Sequence, residues 1–233
     1  MIQTWENLTE DGGVRWLKYS FGFGRANTMA VRLDDGTWLV VSPSIGSAPE
    51  IFDALSKDGD VSALIAPNGF HYLGQEAWRA RFPKALSYAP DDARARLATK
   101  SPGIKYESVD SLKKRLPSRI GVLIPEGMKV PDLLMHATSG GKTVWFSGDL
   151  LSNTGPEDLA LPMRLLMSVF GAGTGYRYNP MPAMVYVRDR AAWRRSVLAA
   201  IEKVPPTSVL PGHGNPVTDN TMARSREILG SGG

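Results

Sequence analysis

The chain has 233 residues, 42% hydrophobic and 21% charged, with 27 Lys plus Arg against 23 Asp plus Glu, a net charge of +4. This is the composition of an ordinary globular domain, expected to span 1–233, and four excess positive charges are too few to build a nucleic-acid-binding face. With no cysteine, disulfides, thiolate zinc sites and cysteine nucleophiles are excluded, and any metal must be held by nitrogen and oxygen. The start, Met1-Ile2-Gln3-Thr4-Trp5-Glu6-Asn7, has neither a basic head nor an apolar signal core, and no run approaches the roughly 18 apolar residues of a membrane span. The expectation is a soluble cytoplasmic protein meeting a small-molecule substrate or ligand, with no nucleic-acid or membrane partner; a homodimer is compatible with the sequence.

The opening third alternates β-type runs with turns. Strands are expected over 14–21, 28–33 and 37–42, with Asp34-Asp35-Gly36 turning the last two into a hairpin. A helix follows over 49–56, with Ile51, Phe52 and Leu55 on one face, then a buried strand over 62–66. Helices at 76–81 and 91–98 flank a strand at 85–88, continuing the alternation. Strands return at 119–124, 132–136 and 143–147, with Ser139-Gly140-Gly141-Lys142 turning between the last two. Helices are expected over 161–170 and 190–204, then a strand at 207–210 and a last helix at 221–229. Gly171-Ala172-Gly173-Thr174-Gly175 reads as a flexible loop, a lid or an interface segment. The order is meander, β-α units, meander, β-α units.

Two distant motifs place a metal-competent side chain at the end of an apolar strand. Phe146-Ser147-Gly148-Asp149-Leu150 supplies a carboxylate, and Leu210-Pro211-Gly212-His213-Gly214 an imidazole. Of the three histidines, His71 also follows an apolar β-type segment. His71, Asp149 and His213 together are a two-imidazole, one-carboxylate set suited to zinc, iron or manganese. Each has a plainer reading. Asp149 could cap the segment that follows it, His213 could order a Pro-Gly-His-Gly-Asn-Pro turn, and His71, between Phe70 and Tyr72, could be a core residue. His136 reads as strand-end packing, while Asn68 and Glu126 are outlying oxygen donors.

These motifs resemble those of the metallo-β-lactamase superfamily, which typically reads strand, His-x-His-x-Asp-His, a middle histidine, a Gly-Asp after a strand and a late Gly-His. With the last histidine of the first motif at His71, the positions where the family has His, His and Asp are Ala66, Asn68 and Phe70. The middle histidine should fall near 124–129, where none stands. The chain looks most like a divergent, functionally uncharacterised branch. The resemblance implies an α/β fold, a four-layer αβ/βα sandwich of two mixed sheets flanked by helices. It also implies a hydrolase with a reduced, one-metal site at His71, Asp149 and His213, zinc being the first choice. Metal-activated water would attack a small ester, thioester, lactone or phosphoester, with Asp149 as the catalytic residue bridging metal and water.

Two other readings compete. Leu39-Val40-Val41-Ser42-Pro43-Ser44-Ile45-Gly46 imitates a nucleophile elbow, and Ser44, Asp149 and His213 fall in the chain order of a serine hydrolase triad. In the lactamase-like reading, Ser42 instead stands where the family has a strand-end Asp. A non-catalytic scaffold binding a ligand or protein partner through the Met- and Tyr-rich stretch 176–186 is the other. Gly22-Phe23-Gly24-Arg25-Ala26-Asn27 begins like a dinucleotide fingerprint, but no helical pattern follows and that site is rejected.

Overall fold

A computed structural model describes residues 3–22, 24–159, 161–162, 165 and 173–230. The expected helix over 161–170 and the start of the glycine loop at 171–175 lie largely outside these residues.

Seven strands form the first sheet in simple chain order: β1 (Glu6–Asn7), β2 (Val14–Phe21), β3 (Gly24–Arg32), β4 (Trp38–Val41), β5 (Val61–Ile65), β6 (Leu86–Ala89) and β7 (Tyr106–Ser108). Pairing is antiparallel from β1 to β4, where short turns suffice, and parallel from β4 to β7, where each crossover carries a helix. Those helices are α1 (Pro49–Ser56), α2 (Gln75–Arg81) and α3 (Asp91–Lys100). The period-two alternation decides which side chains face where. Trp16, Met29, Val31, Leu39 and Val41 point to the middle of the molecule, whereas Leu17, Ala30, Trp38 and Val40 pack outward against Ile51, Phe52 and Leu55 of α1 and Trp78 of α2.

The second sheet has order β13-β10-β9-β8, built from β8 (Ile120–Leu123), β9 (Leu134–Ser139), β10 (Lys142–Phe146) and β13 (Ser208–Leu210), with only the β10–β13 pair parallel. Its inner face gives Met135, Ala137, Val144, Phe146 and Leu210 to the central core. Its outer face gives Leu134, Trp145 and Val209 to α5 (Pro180–Tyr186), α6 (Arg190–Lys203) and α7 (Thr221–Gly230). Helix, sheet, sheet, helix is the αβ/βα sandwich expected. Removing one fully buried inner ring such as Phe146 from this core costs about 3–5 kcal/mol.

A third sheet, β12-β11-β14, made of β12 (Gly175–Tyr178), β11 (Leu151–Thr154) and β14 (His213–Gly214), was not anticipated, nor were β7, α4 (Val109–Lys113) and α5. The expected strand at 132–136 begins instead at Leu134, which leaves Asp132 as a buried carboxyl just outside the ladder. Among the described residues no helix is long and apolar enough to cross a membrane.

Candidate metal centre

Asp149 reaches the centre through the turn that ends β10. Gly148 has φ +63°, and a Cβ there would lie 2.4 Å from Asp132 Oδ2, so only glycine passes both tests. The Asp149 N–H donates to that same Asp132 oxygen at 2.8 Å. The glycine thus turns the chain around a buried carboxyl and delivers Asp149 beside it.

His213 arrives on the neighbouring turn. Gly212 N–H donates to the Gly148 carbonyl at 2.7 Å, an approach so close that a Cβ at 212 would meet Asp149 Oδ1 at 2.7 Å. From β3, Asn27 clamps the turn: its Nδ2 donates to the carbonyls of Pro211 (2.8 Å) and Gly214 (2.7 Å), and its N–H to that of Gly212 (2.9 Å). His213 Nδ1 donates to the Arg25 carbonyl at 2.8 Å. A carbonyl only accepts, so this bond fixes the proton on Nδ1 and turns Nε2 toward Asp149.

His71 lies in the turns after β5. Its Nδ1 is 2.8 Å from Ser42 Oγ, and Ser42, at the end of β4, is a non-glycine residue at φ +55° held by Thr28 Oγ1 donating to its carbonyl (2.7 Å). The other ring nitrogen, Nε2, is 3.0 Å from Asp149 Oδ1 and 3.3 Å from Oδ2.

The three sequence candidates therefore meet: one donor atom from each of His71, Asp149 and His213 lies within 4.8 Å of the others. The two oxygens of Asp149 are treated differently. Oδ2 accepts from Asn68 Nδ2 (2.9 Å) and the Tyr186 hydroxyl (3.1 Å). Oδ1 faces the two imidazole nitrogens, His71 Nε2 at 3.0 Å and His213 Nε2 at 3.3 Å. With Nδ1 of His213 committed to a carbonyl, a neutral ring would aim a lone pair at a carboxylate oxygen. A cation between them, a proton or a metal ion, resolves that conflict. The two separations from Asp149 Oδ1 also suit a metal, because two ligands bound at about 2.0–2.1 Å in a tetrahedron stand about 3.3–3.4 Å apart, while the three donor atoms together lie within 4.8 Å.

The electrostatics follow the same division. Burial alone would raise the Asp149 carboxyl, but the charges and hydrogen bonds of His71 and His213 hold it well below the usual carboxylate range. Burial would lower His213, yet the hydrogen bond and charge of Asp149 leave it raised. Asp132 goes the other way, pushed well above its ordinary value first by burial and then by the neighbouring charge of Asp149. The Tyr186 phenol is driven up by burial and by Asp149, which keeps it a donor.

Other candidates fall elsewhere. Asn68 joins the site as a donor rather than a ligand: Nδ2 spans Asp132 Oδ1 (2.9 Å) and Asp149 Oδ2, and Oδ1 accepts from the Phe70 N–H at 2.8 Å. His136 sits on the outer face of β9 against Trp145, ring centroids 5.0 Å apart, and Glu126 is exposed at a turn tied through its N–H to Ser196 of α6. The Ser44 triad fails, because its hydroxyl bonds Ser47 and the serine that meets an imidazole is Ser42. Ser42 is fully buried, with the Tyr19 hydroxyl 3.4 Å away, so it positions His71 rather than facing a substrate. The stretch 176–186 is less open than expected: Tyr186 is buried and only Met184 and Val185 stand out.

Sequence reasoning missed Asp132 and Tyr186. A buried Asp after Val130-Pro131 and before an apolar strand was the available signal for the first. A tyrosine ending a Pro-initiated turn of helix gave none for the second.

By sequence, no family model and no curated protein matches the chain. By structure, DIM-1 metallo-β-lactamase superposes with a TM-score of 0.63 at 15% identity, over 99% of this chain and 98% of that one. This is the metallo-β-lactamase fold. The Hirschia baltica metallo-β-lactamase matches at TM-score 0.60 and 14% identity over 98% of both chains. FIM-1 of Pseudomonas aeruginosa, solved in a mono-zinc form, matches at 0.61 and 13% over 99% of this chain and 96% of its own. At such identities the likeness shows the fold alone, and within that fold His71, Asp149 and His213 are this chain's own cluster.

Proposed function

We propose that the protein is a metal-dependent hydrolase with a single-ion centre, cleaving a small ester, thioester, lactone or phosphoester in the cytoplasm. The observation that carries the reading is Oδ1 of Asp149 facing two imidazole nitrogens whose opposite ring atoms are held by Arg25 and Ser42. His71, Asp149 and His213 would hold the ion, zinc first, iron or manganese second. A divalent ion in such a set supplies Lewis acidity and a water acidified toward a pKa of about 7.

The chain's own residues supply the rest. Asn68 and Tyr186 anchor Oδ2, so Oδ1 keeps its aim without a search among rotamers. Tyr186, its phenol pushed up, stays protonated at neutral pH and serves as donor, not base. The Phe21 ring lies 5.6 Å from that of His213, and Phe70 stacks on Tyr186, so apolar surface borders the cluster on both flanks. A small substrate would bring its carbonyl or phosphoryl centre to the Nε2–Oδ1–Nε2 face.

The test is metal content of purified protein by plasma mass spectrometry, for wild type beside Asp149→Ala and His213→Ala. About one equivalent of metal in the wild type, lost in both variants, with hydrolysis of 4-nitrophenyl acetate or bis(4-nitrophenyl) phosphate, is the expected result. Wild type that takes up no metal after soaking overturns it and leaves the non-catalytic scaffold, in which a proton between His213 and Asp149 takes the place of the ion.

A further inference from the structure

The loop that carries His71 also carries an immobilised positive charge. α3 buries Ala93 and Leu97 against Ala66, Ala89 and Tyr106, which places Arg96, between them on the helix, over the 68–71 turn. There Arg96 Nε donates to the Gly69 carbonyl at 3.0 Å, and the guanidinium carbon lies 4.2 Å from the centroid of the Phe70 ring. Gly69 makes room for this: a Cβ at 69 would lie 2.9 Å from Arg96 Cδ. Phe70 in turn stacks on Tyr186, centroids 5.5 Å apart at 22°, and Tyr186 donates to Asp149.

Two features separate Arg96 from an arginine that merely covers an exposed ring. Nε is its one nitrogen with a hydrogen-bond partner among the described residues, and no carboxylate there stands within 4 Å of it, whereas Arg15, Arg81, Arg119, Arg224 and Arg226 each face one. The two outer nitrogens are thus pre-oriented and un-neutralised, and such a fork matches an oxyanion in two parallel N–H bonds. Position matters as well. Gly69 and His71 are two peptides apart, so their Cα atoms are separated by no more than about 7.6 Å, and the Phe70 ring between them links the guanidinium to Tyr186.

We propose that Arg96 recognises a carboxylate or phosphate oxyanion on the substrate, with the part of Phe70 left exposed beside Arg96 and Tyr186 meeting its apolar part, so that this site selects anionic rather than neutral compounds. The inference rests on the hydrolase reading for what happens next, but not for binding. The guanidinium holds one end of the molecule, and the Asp149 cluster, linked to Phe70 through Tyr186, meets the scissile centre.

The experiment is ligand-observed NMR titration of the protein as purified with phenylacetate, phenylphosphonate and the neutral phenylacetamide, for wild type, Arg96→Gln and Arg96→Lys. Circular-dichroism melts check that the variants fold. Expected is saturable binding of one or both anions, weakened at least about tenfold in Arg96→Gln, partly retained in Arg96→Lys, and no saturable binding of the amide. The two anions separate carboxylate from phosphate recognition. Anion binding that is absent in the wild type, or unchanged in a folded Arg96→Gln protein, overturns the proposal. The ester screen is read separately: Arg96-dependent binding without any hydrolysis sinks the hydrolase reading alone, and hydrolysis indifferent to Arg96 and to substrate charge sinks this one alone.

Discussion

On the Oδ1 side of Asp149 stand two imidazoles, each with its far nitrogen held and its near nitrogen aimed inward. On the Oδ2 side stand an amide, a phenol and a second carboxyl, each spending its hydrogen-bonding capacity on the protein itself. The first side keeps the donors that a cation needs. The second is a closed organic network in which Asn68 bridges two carboxyls. One carboxylate can therefore face two ways, open to a cation on one side and a structural hub on the other.

The largest test breaks both sides together. Gly148→Ala forces a side chain into the left-handed region, about 1–2 kcal/mol, and displaces Asp132 from its donors, about 1–3 kcal/mol more. Urea denaturation should show a loss of about 3–4 kcal/mol together with loss of metal uptake. A wild-type-like melt would mean that the turn is looser than its contacts imply.

Asn68→Asp attacks the hub alone. It replaces two donated hydrogen bonds by a third buried carboxyl, which should cost about 2–4 kcal/mol at pH 7. The cost should shrink at pH 5, where protonation relieves the repulsion, and equal losses at both pH values would sink this account. A quieter variant tests sign. Because the Asp132 pKa is raised in the folded protein, the fold binds its proton more tightly than the unfolded chain does, so stability falls as pH rises from about 4 toward the raised value. Asp149, depressed, contributes stability that is present above about 4 and lost as pH falls. Asp132→Asn should therefore flatten the alkaline fall and leave the acid fall in place, read from denaturation midpoints between pH 3 and 9.

Smallest is Tyr186→Phe, which removes one of two donors from Oδ2. About 1 kcal/mol of stability and about tenfold in metal affinity are expected. Affinity unchanged in a competition assay with a chelating dye would show that Asn68 alone suffices to hold the carboxylate.

The imidazole side was legible in the sequence because its parts are local: Gly148 beside Asp149, Gly212 beside His213, and His71 at the end of a buried strand. The order of the main strands and helices was legible for the same reason, since alternation and turn residues are short-range signals. The network side was not. Asp132 and Tyr186 are 17 and 37 residues from Asp149 and meet it only after the second sheet and α5 have packed. The strands of the third sheet are two to four residues long, too short to show a period, and α5 begins with prolines that read as loop although Pro suits the first turn of a helix. Asp132 was read as part of a strand because apolar residues follow it, whereas burial and its two donors give it a different task.

The bond from His213 to the Arg25 carbonyl spans 188 residues, and the clamp of Asn27 on Gly214 spans 187. Loops of that length close late, since contacts so distant in sequence repay their entropy only once the intervening chain has folded. During synthesis, then, the first sheet can assemble while the cluster still lacks its last imidazole, and the ribosome must release residue 214 before the three side chains can meet. Completion of the cluster is in this way timed to the end of folding, and an intermediate stalled before that point carries the first sheet without the assembled cluster.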